Sequence, residues 1–146
     1  MNDLLSGWQW ETIEVFIKGR RALLPPPMPP TNVKGSFDMA SAKITWTDPT
    51  MRSDGTTALT PAEIAQINVF MSSDNGNTYT NVGHAAAGQQ SFTQPLTTSG
   101  TYLFKLQTVD TQTPPAISAD SSVVSLVATV PLAAPNPPSN VAVVAA

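Results

Sequence analysis

Cysteine is absent from the 146 residues. Disulfides and thiolate metal sites are therefore excluded, and an ordinary core must hold the fold unaided. His84 is the single histidine, so neither a His-based metal cluster nor a Ser-His-Asp arrangement can be assembled. Charge is scarce: 12% of residues, for a net of -3. Lys34, Lys43 and Lys105 are isolated and Arg20-Arg21 is a lone pair, whereas phosphate backbones need clustered cations. Nucleic acid is thus not an expected partner. No apolar run approaches the ~20 residues that span a bilayer, so no membrane insertion is expected. Asp3, Glu11 and Glu14 interrupt the opening stretch, which does not read as a signal peptide. The expectation is assembly in the cytoplasm. Gly-rich phosphate loops, a Gly-x-Ser-x-Gly elbow and HExxH are missing too. No catalytic residue, metal or cofactor is nominated, and the chain is expected not to be an enzyme.

What is present is a long alternating stretch, Gly100 to Val109. Tyr102, Phe104, Leu106 and Thr108 fall on one face of an extended chain, and Leu103, Lys105, Gln107 and Val109 on the other. A period of two marks a strand with one face on a core. Leu96 lies six residues before Tyr102, across the turn Thr97 to Gly100. A buried leucine, a corner and a tyrosine whose hydroxyl bonds the backbone recur in β-sandwiches.

Further strands are predicted on either side: Asn32 to Phe37, then Ser41 to Thr47 with Ala42, Ile44 and Trp46 inward. Ile67, Val69 and Met71 face inward on the next, with Phe70 outward. Asp74-Asn75-Gly76-Asn77 signals a hairpin, because Asn-Gly tolerates positive φ. Thr78 to Val82 returns, Ser91 to Gln94 carries Phe92 inward, and Ser122 to Thr129 closes the set. Thr60-Pro61-Ala62-Glu63 has the form of a capping box. Asp48, Asp54, Asp74, Asp110 and Asp120 sit in predicted turns, where Asp commonly bonds its own backbone. His84 is read as a loop residue, and Ala85 to Gly88 as a small, flexible stretch.

Residues 1-24 stand apart. Trp8, Trp10, Ile13, Val15, Phe16 and Ile17 make this stretch aromatic and β-branched, which favours an extended form. Ile13, Phe16, Ile17 and Arg20 also match a helical stripe, so strand and helix both stay open. Residues 25-30, Pro-Pro-Pro-Met-Pro-Pro, take the stiff polyproline form. They are expected to act as a linker that holds the arm away from the domain, leaving its tryptophans to anchor in a partner.

From Pro30 to Val130 the order of pieces resembles a fibronectin type III domain. The carriers are Pro30-Thr31-Asn32-Val33, Ile44-Thr45-Trp46-Thr47, Ile67-Asn68-Val69-Phe70, the turn Ser73 to Thr78, Leu96 with Tyr102, and Tyr102 to Leu106. The chain departs from the pattern at Gln94-Pro95, and at Ile67, where the family often has tyrosine. The resemblance implies an all-β, seven-stranded antiparallel sandwich over residues 31-130, with Trp46, Leu96, Tyr102, Phe104 and Leu106 as fold-determining core. Pro137-Pro138-Ser139-Asn140-Val141 repeats Pro29-Pro30-Thr31-Asn32-Val33. Residues 131-146 are thus a Pro/Ala-rich tail: the start of a second module, a strand that adds to a neighbour's sheet, or a disordered end.

Tailed-bacteriophage particles commonly carry domains that look like this. The resemblance therefore leads to the expectation of a multi-copy virion structural protein, on head, neck, tail or baseplate. Residues 1-24 would bind other virion proteins, and Phe70 and Tyr79 are the candidate surface contacts to cell-surface glycans. The alternative is an accessory or glycan-binding module of a secreted bacterial carbohydrate-active system.

Overall fold

The computed structural model describes residues 23-137, 139, 142, 144 and 145. Seven strands form two antiparallel sheets: β1 (Thr31–Asp38), β2 (Ser41–Thr47), β3 (Ile64–Ser72), β4 (Thr80–Ala85), β5 (Ser91–Pro95), β6 (Gly100–Asp110) and β7 (Val124–Ala128). One sheet has the order β1-β2-β5 and the other β4-β3-β6-β7. The core lies between them. Ala42 and Ile44 of β2, Ile67 and Val69 of β3, and Phe104 and Leu106 of β6 are wholly buried. Trp46, Tyr102, Leu96, Leu59, Ile64, Ala85 and Ala128 complete it. The inward faces are thus the alternating sets that period-two patterning marks.

The tyrosine corner is in place. Tyr102 Oη donates to Thr98 O at 2.9 Å and shares a 2.8 Å hydrogen bond with Thr98 Oγ1. Leu96 is buried beside it, its N–H donating to Ala40 O at 2.8 Å. The corner thereby ties the β5–β6 turn to the β1–β2 hairpin.

Three boundaries differ from expectation by two residues or more, each for a local reason. The return strand starts at Thr80 rather than Thr78, because Asp74 captures the N–H and hydroxyl of Thr78. That shift also carries the strand further along, so His84 lies within β4, opposite Asn68, and Ala85 is buried core. Neither belongs to a loop. The last strand is shorter than Ser122 to Thr129, because side chains take over its ladder. Ser118 and Ser121 are buried, and their hydroxyls accept from the N–H groups of Thr108 and Leu106, both at 2.9 Å. Their own N–H groups donate to the carbonyls of those same residues. An irregular, bulged edge of this kind resists pairing with a foreign strand.

Where the sheets approach at β4 and β5, a glycine is required. Gly83 has φ 154, and a Cβ there would lie 2.7 Å from the Phe92 ring.

An odd number of antiparallel strands sends the chain out at the end opposite its start. The N-terminal segment meets the body beside the 51-53 loop and Gln112. The C-terminal segment leaves beside Ser99, whose hydroxyl accepts from the Val130 N–H at 2.9 Å.

Tyr102→Phe removes the corner's hydroxyl while leaving the ring. It is expected to cost about 1 kcal/mol, read as a lowered urea midpoint at unchanged m-value. A change within error would show that the corner closes on packing alone.

Candidate functional site

The loop Met51 to Ala58 reads as solvated: Arg, Ser, Asp, Gly and Thr in a row. Its first turn does look outward, with Asp54 accepting from the N–H groups of Thr56 and Thr57 at 3.0 and 2.9 Å. Arg52 does the opposite. It is only 1% exposed. Its Nη1 donates to Asp110 Oδ2 at 2.8 Å and to Pro25 O at 2.9 Å, and its Nη2 donates to Glu63 Oε1 at 3.0 Å. Nε has no partner among the described residues.

Each partner is set by its own element. Asp110 ends β6, and Oδ1 accepts from the N–H groups of Gln112 and Ala116 at 3.1 and 2.8 Å. It is therefore a buried ion-pair member as well as a turn former, which its predicted role as a turn residue did not anticipate. Glu63 closes the single 3-10 turn Pro61–Glu63, and its Oε2 accepts from both the N–H and the hydroxyl of Thr60 at 2.8 Å.

The electrostatics follow. Burial alone would lower the Arg52 pKa, but the hydrogen bonds and charges of Asp110 and Glu63 outweigh it and hold the guanidinium charged. Burial would raise Asp110, yet bonds from Gln112, Arg52 and backbone amides carry its pKa below the usual range. Glu63 is lowered by the Thr60 backbone and hydroxyl and then by Arg52.

This cluster grips the proline run, and here an expectation is corrected. Residues 25-30 do not stand off as a free spacer. The Ser53 N–H donates to Pro26 O at 2.8 Å, the Met28 N–H donates to Met51 O at 3.1 Å, and Pro27 bridges Arg52 in antiparallel fashion. Pro27 and Pro30 are buried. Gln112 completes the grip: its Oε1 accepts from the Leu24 N–H at 2.9 Å and its Nε2 donates to Leu24 O at 3.3 Å. The reason is elementary. Proline lacks a donor, but every proline keeps a carbonyl, and Leu24 and Met28 supply the N–H groups. The result is a clasp for extended backbone. A recess of about 300 Å³ adjoins it, lined by Leu23, Leu24, Arg52, Glu63 and the turn from Thr111 to Thr113. The assembled groups are donors and acceptors suited to a peptide chain.

Among the other nominated residues, Trp46, Leu96, Tyr102, Phe104 and Leu106 all lie in the core. Phe70 and Tyr79 do come together, on the outward face of the four-stranded sheet. Lys105 lies between them, its Nζ 4.3 Å from the Tyr79 ring centroid and 6.0 Å from that of Phe70. Lys105 also pairs with Asp120 at 2.7 Å. The Tyr79 face is therefore already covered by a cation. Trp8, Trp10, Ile13, Val15, Phe16 and Ile17 lie outside the described residues. Among the described residues, no three His, Cys, Asp or Glu side chains converge to hold a metal. The oxygens of Asp54 and Asp74 are taken up by their own turns.

Two outcomes test these charges, the first in the clasp and the second in the two Asp turns. Arg52→Met strands the Asp110 carboxylate and is expected to cost about 3–5 kcal/mol. Combined with Asp110→Asn, the loss should fall short of the sum of the single losses by about 2 kcal/mol, measured by a double-mutant cycle in urea. Strict additivity would show that the pair is not coupled. The second outcome concerns acid. Thr57 and Thr78, through hydroxyl and then backbone bonds, hold Asp54 and Asp74 each at about 2. A carboxylate depressed in the folded state stabilises it above the unfolded pKa of about 4. That contribution is lost as pH falls from about 4 to about 2. The urea midpoint should thus hold from pH 7 to 5 and drop below 4, with a shallower drop in Asp54→Asn/Asp74→Asn.

No protein-family model matches the chain, and no curated protein matches its sequence. Solved structures do match its fold. A crystal structure of titin domains shares 24% identity and a TM-score of 0.55 over 70% of this chain, which spans 32% of the titin chain's length. The fibronectin type-III domain of human fibronectin type III domain containing protein 3 shares 16% identity, with a TM-score of 0.56 over 77% of this chain and 94% of that one. A Fn3-like protein from Clostridium thermocellum shares 19%, with a TM-score of 0.53 over 75% and 98%. At such identities the similarity speaks for the fold alone, and the fold is that of a fibronectin type III-like sandwich.

Proposed function

We propose that this chain is a non-enzymatic structural protein of a tailed-phage virion, held in the particle by residues 1-22 and presenting its sandwich outward. The observation that carries the reading is the clasp. Because residues 24-28 are fixed to the body, the segment bearing Trp8 and Trp10 is delivered from a defined point at one end of the domain. The proline run no longer adds to its reach, which is up to ~75 Å for 22 extended residues. Aromatics on such a segment are suited to fill pockets in a neighbouring protein. The opposite end carries the 73-79 turn and the β1–β2 hairpin, where Met39 is 90% exposed. That end would face away from the particle. Contacts to cell-surface glycans, if made by the Phe70 and Tyr79 face, would be weak singly and summed by many copies.

The test is genetic and biochemical. Deleting residues 1-22 from the phage that encodes the chain should yield particles lacking the protein, detected by mass spectrometry, while the shortened domain stays folded in the lysate. Retention of the shortened protein in particles, or absence of the full chain from wild-type particles, would overturn the reading.

A further inference from the structure

The clasp makes specific demands on the segment it holds. Positions 24 and 28 must donate an N–H, to Gln112 and to Met51. Positions 27 and 30 are buried prolines, and positions 25 and 26 contribute only carbonyls, to Arg52 and Ser53. Further along the chain the same demands are met a second time. Leu132-Ala133-Ala134-Pro135-Asn136-Pro137-Pro138 aligns with Leu24-Pro25-Pro26-Pro27-Met28-Pro29-Pro30. Leu132 and Asn136 keep the two donors. Pro135 and Pro138 stand in the sequence where the clasp holds its two proline rings. The alanines fall where any residue's carbonyl serves. Residues 131-137 contact little of the body: all are exposed, Leu132 at 97%.

We infer that residues 132-138 are a second ligand for the clasp, and that they fill the clasp of another copy of this chain. Geometry rules out their own clasp. They leave from the end marked by Ser99 and Val130, whereas the clasp is at the other end of β6. An 11-residue strand is about 35 Å long, and the two residues from Val130 to Leu132 cover only ~7 Å. The joint is therefore head to tail. Such a contact is heterologous, and repeated it generates a ring or a filament rather than a closed two-fold dimer. It replaces the 24-30 segment with an equivalent one, so exchange needs no new surface. This inference is independent of any virion role and of residues 1-22.

The absence of cysteine makes the test clean. In the full chain carrying Thr111→Cys, which borders the recess but makes none of the clasp's side-chain bonds, and Leu132→Cys, mild oxidation at high concentration should give covalent dimers, trimers and larger species. Their digests should contain the peptide joining positions 111 and 132. Adding Pro27→Asp, which spoils the resident segment while leaving the tail intact, should raise the cross-linked fraction several-fold. Only 111–111 or 132–132 links, or no species beyond monomer in either background, would overturn the proposal. A 111–132 link inside a monomer would overturn it as well, since it would place the tail on its own body.

Discussion

A guanidinium that water cannot reach governs one end of this molecule. Removing Arg52 from solvent costs several kcal/mol, and that cost is tolerable only if its donors find acceptors. Three segments supply them: the end of β6 through Asp110, the 3-10 turn through Glu63 and the proline run through Pro25. None is close to Arg52 in the chain, so the cluster can form only when the loops have reached their places. A buried pair of this kind does more to select one arrangement than to add net stability. That suits its position. The sandwich core, with Phe104, Leu106, Ile44, Ile67 and Val69 wholly buried, would hold the sheets in any case. What Arg52 decides is how the loops and the N-terminal segment lie upon it.

The two ends of the domain are organised differently. At the far end, the corner tyrosine closes a short span, bonding a residue four positions away, and one long contact, from the Leu96 N–H to Ala40 O, ties it to the first hairpin. At the clasp end, the decisive contacts are long in sequence, Arg52 to Asp110 across 58 positions and Leu24 to Gln112 across 88. Loop-closure entropy weighs more heavily on the second kind.

This contrast also explains what could be read from the residues alone. Alternation in β2, β3 and β6 exposes the core, because a half-buried strand leaves its period in every second side chain. The corner tyrosine, the Asn-Gly turn and the capping box are local devices with local signals. Arg52 has no such signal: its neighbours are those of a solvated loop, and its meaning lies in Asp110. The β1–β2 hairpin is silent for another reason. Met39 and Ala40 both take positive φ, 37 and 72, without the glycine or asparagine that usually announces it. The proline run was legible in conformation but not in location, since proline reports its φ and not which carbonyls are bonded.

A clasp that binds backbone through carbonyls and two N–H groups recognises a pattern of donors and buried rings more than it recognises particular side chains. That tolerance would let Ala133 and Ala134 stand in for two prolines, at the cost of the stiffness that proline brings. It also sets the terms on which two equivalent segments compete. The resident one is tethered, and a short tether holds a ligand at an effective concentration in the millimolar range. A free chain in dilute solution cannot match it. Copies lined up on a shared scaffold can, because their tails are then held near the next clasp at comparable concentration. Pulling on residues 1-22 would tilt the balance further, since tension on that segment acts directly on the Leu24–Gln112 bonds where the grip begins.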